Sequence, residues 1–353
     1  MRTMIRINVM NGRSAVDAER IHRDAIVIDA VAPLLDRKKY VDSYSAGGVT
    51  CVAPTISAGT DSPAHALHGM GSWLRFVRAR KDLKIIQTAS DIETAKRAGQ
   101  MGILFHFQGT GPFQTDLDLV EAFQALGLRM VQLTYNRRDY VGSGCEEDLD
   151  EGLSSFGKKL VRRLNENRIV VDCSHTGYKT TMDALSLTTR PAVFSHSNSA
   201  RLFPSRRNIL DDQAKAAAAT GGLVGVTAVP QFVVPANGGA ARPSLDDLIA
   251  HIDHFVSLVG IDHVGLGLDY WWGTLPFSDV DSVIGEWDHY VSVGDWSPEA
   301  YPRPPHYNPP EIETPDMLLG MTQGLLRRGY NEDQVRKLLG LNWLRVFRDV
   351  WGE

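Results

Sequence analysis

Two stretches of the chain end in the same doublet. Arg168-Ile-Val-Val-Asp-Cys-Ser-His175 and Pro191-Ala-Val-Phe-Ser-His196 each carry apolar and β-branched residues up to a Ser-His pair. Each run reads as a buried parallel strand, with its His just past the C-terminal end. The histidines stand 21 residues apart, about the length of one strand–helix repeat. Two imidazoles on the same rim of a parallel sheet can share one metal ion, and either can carry a proton near neutral pH.

For such residues to meet, the chain must build a sheet whose strands all end on one side. Apolar runs over residues 25–31, 48–54, 102–108, 129–134, 169–172, 191–195, 223–227 and 263–268 read as eight strands. Helical periodicity falls between most of them. One such helix, over 88–98, has Ser90 placed to cap it and Glu93 three residues on. A lead-in helix is expected over 15–24. Eight strands alternating with helices point to an α/β fold of the (β/α)8 TIM-barrel type. A doubly wound open sheet competes, but no Gly-x-Gly-x-x-Gly follows the first strand. Residues 1–353 read as a single barrel domain. Residues 270–310 lack a period and are rich in Pro, Trp and Tyr, so they read as a lid or pocket wall. Residues 314–350 read as C-terminal amphipathic helices.

In such a barrel the chemistry sits at the C-terminal strand ends. Those ends supply Asp29, His106 and Gln108, Tyr135, His175, His196 and Asp269, with Arg206-Arg207 following His196. The His pair with Asp269 can bind a metal and hold a water or its proton. Arg207 can clamp a carboxylate with its planar fork; Arg206 beside it is a second candidate or a solvated charge. His106 points to the same side as Gln108 and is either a packed residue or part of the site. Cys173 reads as a buried thiol rather than a nucleophile.

Net charge is −5 with 37 basic and 42 acidic side chains, so neither nucleic acid nor an anionic membrane is an expected partner. Three scattered cysteines without a Cys-x-x-Cys argue against a disulfide framework or a zinc knuckle. The first ten residues lack the apolar core of a secretory signal, and no 18-residue apolar run exists. A cytoplasmic protein is expected.

These residues resemble the renal (membrane) dipeptidase family of metallopeptidases, within the amidohydrolase barrels. The similarity covers most of the chain. It is carried by Val27-Ile-Asp29, Leu133-Thr-Tyr-Asn136 with Gly144-Cys145, Val171-Asp-Cys-Ser-His175, Phe194-Ser-His-Ser197, Ser205-Arg-Arg-Asn208, Val264-Gly-Leu-Gly-Leu-Asp269 and Gly340-Leu-Asn-Trp-Leu-Arg-Val-Phe347. The resemblance implies a binuclear zinc site, a dipeptide or similar small substrate with a carboxylate, and a homodimer. It gives His175 and His196 as metal ligands, Arg207 as the carboxylate contact and Asp269 as the acid/base. The sequence departs from the family at one half of the site. The His-x-Asp positions of the first strand are Val31 and Pro33, the bridging Glu is Gln108, and a substrate-contacting His is Tyr135. Zinc is therefore expected as one ion or none, with Gln108, Asp29 or His106 as replacement ligands. The leading reading is a dipeptidase-like metal-dependent hydrolase. Its rivals are a same-fold enzyme with metal-free chemistry, using Asp269 and His175, and a non-catalytic binding protein.

Overall fold

The computed structural model describes residues 12–233 and 242–352. The N-terminal residues read for a secretory signal lie outside them. Among the described residues eleven strands occur in order: β1 (Ile28–Asp29), β2 (Cys51–Val52), β3 (Thr55–Ala58), β4 (Leu83–Ile85), β5 (Met101–Ile103), β6 (Phe105–Gln108), β7 (Leu128–Gln132), β8 (Val170–Asp172), β9 (Ala192–Val193), β10 (Val224–Val226) and β11 (Val264–Leu266). All pairings between them are parallel. β1 pairs with β2, β2 with β5, β3 with β6, and β6, β7, β8 and β9 follow in turn. Phe194 bridges to Val224, and β10 pairs with β11. The ring returns to its start through Ala30 N donating to Leu266 O (3.3 Å) and Asp269 N donating to Val31 O (3.2 Å). β2 with β3, and β5 with β6, are halves of single staves, so eight staves form the (β/α)8 barrel.

The staves are short and mostly buried, as a parallel sheet covered by helices requires, with Ala58 at the end of β3 exposed and Thr55 and Arg129 half-buried. The last helix, Asn342–Trp351, puts Trp343, Val346, Phe347 and Val350 against Ile28, Met130, Val170 and Val193. Trp343 also donates its indole N–H to Leu266 O at 2.9 Å. A Cβ at Gly265 would lie 2.7 Å from that indole nitrogen, so only glycine lets the ring lie against β11.

Several elements differ from the sequence-based expectation. The second stave continues past Pro54 as β3, because Pro at a stave junction need not donate to the ladder. β4 was not expected; it is a short edge strand beside β5. Thr88, not Ser90, caps the helix Ala89–Ala98, in a reciprocal box with Asp91. The final helix is interrupted over Lys337–Leu341, where a Cβ on Gly340 would meet Ile26 O at 2.4 Å. The stretch 270–310 contains a 13-residue helix, Val280–Ser292, of which only Val283 is buried, so its sequence shows little period. Among the described residues no helix is long and apolar enough to cross a membrane.

Candidate metal centre

His175 stands three residues past the end of β8, and its backbone is left-handed, φ +61°. His196 follows β9 and is fully buried. Their Nε2 atoms approach to 2.8 Å. What sits behind each ring decides which nitrogen carries the hydrogen. His175 Nδ1 lies 2.7 Å from Asn136 Oδ1, and Asn136 donates its amide N–H to Asp295 O at 2.8 Å. The oxygen of Asn136 therefore faces the imidazole and accepts from Nδ1–H. His196 Nδ1 lies 2.7 Å from Ser195 Oγ, whose single hydrogen is donated to Asp172 Oδ2. Ser195 must then accept from His196 Nδ1–H. Both Nε2 atoms are left with lone pairs that point at each other.

Two lone pairs at that distance repel unless a proton or a cation lies between them. Burial, followed by the nearby Arg207 charge, pushes both imidazoles well below their ordinary range, which disfavours the proton. Rings held by hydrogen-bond acceptors at Nδ1, with Nε2 turned inward, are the arrangement by which proteins present imidazole to a metal. Among the described residues no third His, Cys, Asp or Glu joins them closely enough to complete a metal group. The nearest carboxylate is Asp269, with Oδ2 4.0 Å from His196 Nε2 and 14% of its side chain exposed.

Asp269 has φ +58° and Asn136 φ +55°. Among the described residues, three of the five non-glycine residues in the left-handed region thus belong to this one cluster. Each such backbone costs on the order of 1–2 kcal/mol and persists where surrounding contacts hold it, as functional sites do. Burial, then the charge of Asp29, raises the Asp269 carboxyl to about 8, with Arg207 opposing. Asp269, His175, Gln108 and Tyr135 line a cavity of about 360 Å³. Trp271, Tyr290 and Trp296, from the stretch expected to wall the pocket, face it. Tyr135 stacks on His175 at 4.3 Å between ring centroids, and its hydroxyl accepts from Trp296 Nε1–H at 3.1 Å. Gln108 Oε1 accepts from Thr55 Oγ1 at 2.8 Å.

Arg207 is 2% exposed. It donates Nε–H to Tyr301 OH (3.1 Å) and Nη2–H to His196 O (3.4 Å). Among the described residues no carboxylate lies within salt-bridge distance of it. Its guanidinium opens on a smaller adjoining cavity of about 180 Å³, which also reaches His175, Cys145 and Cys173. An unpaired buried guanidinium is costly and selects for an anionic ligand.

The other expected residues lie elsewhere. Arg206 is at the rim, bonded to Asp148 Oδ1 and Glu146 O, and lines only the smaller cavity. His106 does not meet the imidazole pair; it faces Asp172 Oδ2 at 3.6 Å. Asp29 lines neither cavity. Its Oδ1 accepts from Leu268 N at 2.8 Å, and its Oδ2 has no partner among the described residues. Asn136, Asp172, Ser195 and Tyr301 were not singled out from the sequence. The one available signal was the residue preceding each His, since both are serines.

Burial raises the Asp29 carboxyl to about 7, partly offset by its backbone donors. Between its ordinary value of 3.8 and about 7 the folded chain holds a proton that the unfolded chain has released, so stability falls as pH rises through that window. The fall is at most about 1.4 kcal/mol per pH unit. Asp29→Asn, which keeps the acceptor for Leu268 N–H, is expected to flatten it. Urea unfolding of the chelated proteins at pH 5 and pH 8 checks this. Parallel stability losses in wild type and variant would refute it.

The sequence matches the model of the membrane dipeptidase family, peptidase family M19, over residues 7–285. An amidohydrolase structure from Pseudomonas aeruginosa superposes with a TM-score of 0.83 at 32% identity, over 95% of this chain and 99% of that one. A protein from the pqqA 5' region of Klebsiella pneumoniae is 29% identical over 76% of this chain and 89% of its own length. A dipeptidase of Schizosaccharomyces pombe is 28% identical over 76% of this chain, which spans 58% of that relative's length. With a matching family model over most of its length and the Ser-His imidazole pair at the strand ends, the chain belongs to the membrane dipeptidase family of peptidases, M19.

Proposed function

We propose that this protein is a dipeptidase-like hydrolase that cleaves a dipeptide or similar small amino-acid amide, with one zinc ion held by His175 and His196. The observation that carries the reading is the pair of inward-facing Nε2 lone pairs, each fixed by a partner at Nδ1. Neutral imidazole suits zinc. Val31 and Pro33 bring no donor atoms and Gln108 brings no charge, so the donor set fits a single ion. The Gln108 amide oxygen, on release from Thr55, is the added oxygen ligand, which leaves Asp269 for proton transfer.

A bound divalent cation would supply Lewis acidity toward the scissile carbonyl and a neighbouring water. The chain's own groups do the rest. Beside a bound cation, whose charge would favour its ionised form, the Asp269 carboxylate takes the proton of the attacking water and passes it to the leaving nitrogen. Tyr135, kept protonated because burial raises its hydroxyl, donates O–H toward the carbonyl oxygen. Arg207 takes the substrate carboxylate, with Tyr301 orienting the guanidinium through its Nε–H. Trp271, Tyr290 and Trp296 shelter the cavity from bulk water. The dispersed free cysteines support a cytoplasmic setting.

The test is elemental analysis of protein purified without chelator, paired with hydrolysis of a dipeptide panel. About one metal per chain is expected, with activity lost on chelation and restored by zinc. A metal-free protein whose activity survives chelation would overturn the reading. So would one that binds small carboxylates without turning any over.

A further inference from the structure

The metal-facing nitrogen of His196 is chosen by a hydrogen, and the choice can be traced inward. Ser195 has one hydroxyl hydrogen and three neighbours within reach, Asp172 Oδ2, His196 Nδ1 and Ser174 Oγ (3.2 Å); the neutral Ser174 hydroxyl has its own hydrogen to donate to Ser195, so the choice lies between the first two. If the hydrogen goes to Asp172, His196 must carry its own hydrogen on Nδ1 and shows a lone pair at Nε2. If it goes to His196, the imidazole carries its hydrogen on Nε2 instead. An N–H would then confront His175, and His196 could not ligate.

Asp172 decides between the two. It sits at the end of β8 and is completely buried. Its Oδ1 accepts from Ser174 N (2.9 Å) and Ser195 N (2.8 Å), and its Oδ2 accepts from Ser195 Oγ. Those donors fix one oxygen firmly. The other must stay turned toward Ser195, and beyond it lies His106. This histidine, on β6, is also completely buried, and neither of its nitrogens has a hydrogen-bond partner among the described residues. Its Nε2 is 3.6 Å from Asp172 Oδ2, the closest approach to a carboxylate that it makes. A small side-chain shift brings it to hydrogen-bond length, and a buried imidazole with no other partner has every reason to make that contact.

We propose that His106 is a positioning residue: its Nε2–H, directed at Asp172 Oδ2, holds the carboxylate where it claims the Ser195 hydrogen and so fixes His196 with its lone pair toward the metal position. The inference takes from the proposed function only that His196 is a ligand. Its effect passes through three side chains, and His106 itself touches neither substrate nor metal. This role also accounts for a buried imidazole placed between Phe105 and Phe107.

His106→Leu fills the space without a donor. His106→Gln places an amide N–H where Nε2 was, and His106→Asn has the same group one carbon short. Nitrogen-15 imidazole spectra of the metal-free proteins, with His196 assigned through His196→Gln, read the tautomer directly. Wild type and His106→Gln are expected to show His196 as Nδ1–H. His106→Leu and His106→Asn are expected to shift it toward Nε2–H, and zinc affinity by chelator competition should fall about 10–100-fold, the usual size of an outer-shell effect. An unchanged tautomer in folded His106→Leu, or Gln and Asn variants that behave alike, would overturn the proposal. Should the Leu variant fail to fold, the Gln–Asn comparison decides. The tautomer is read without metal or turnover, so absence of zinc or of hydrolysis would defeat the functional reading while leaving this result to stand or fall separately.

Discussion

His175→Asn is expected to abolish stoichiometric zinc and to reduce hydrolysis at least about 10³-fold, while the protein remains folded. The substitution is chosen for its backbone. His175 has φ +61°, where most side chains are strained and asparagine is tolerated, so the loss reads out chemistry rather than misfolding. The shorter amide cannot reach the point where the two Nε2 atoms meet. One imidazole remains, at His196, with the nearest carboxylate at 4.0 Å. Differential scanning gives a second, independent readout. In wild type, zinc at 100 times its dissociation constant should add about 2.7 kcal/mol of stability through mass action. In His175→Asn the zinc-induced rise should vanish. The metal-free variant should lose little stability, because removing either ring also removes the clash of lone pairs at 2.8 Å. Activity and a zinc-induced shift that both survive the substitution would remove His175 from the site.

Much of this arrangement can be read in the sequence, for definite reasons. Buried parallel staves are near-continuous apolar runs, and the residue just past such a run points to the barrel mouth. That is why His175, His196, Tyr135 and Asp269 were legible, and why all eight staves were found. What failed to show were residues that act through contacts between distant elements. Asn136 orients His175 from the loop after β7, and Asp172 acts on His196 only through Ser195. Tyr301 reaches Arg207 from 94 residues away. None of these has a local pattern, because the information lies in which strand ends become neighbours. The helix Val280–Ser292 escaped for the opposite reason: with one buried residue, its sequence is under little constraint to show a period. His106 and Asp29 were placed too near the imidazole pair because strand alternation tells which way a side chain points but not how deep in the barrel it lies.

Asp269→Asn is the complementary experiment, since it should leave the metal in place and remove the reaction. Asn is nearly isosteric with Asp and accepts the left-handed backbone, φ +58°, at this position. The amide cannot take a proton from water or return one to a leaving nitrogen. A loss of about 10²–10⁴ in kcat is expected, the usual contribution of a positioned general acid/base. KM should change little, because the substrate carboxylate is assigned to Arg207. Zinc content should stay near that of wild type, because the two imidazoles, not this carboxylate, make the closest approach. The pattern of effects separates three roles. If zinc is lost with activity, Asp269 is a ligand first and an acid/base second. If KM rises while kcat holds, it binds substrate. If kcat stays within a few-fold of wild type, proton transfer belongs to another group, and the buried carboxyl at about 8 is structural. Arg207→Met sharpens the comparison: it should raise KM for substrates with a free carboxylate, with little change for the corresponding amides. Only a site in which the two charged groups divide binding from proton transfer gives opposite signatures for the two substitutions.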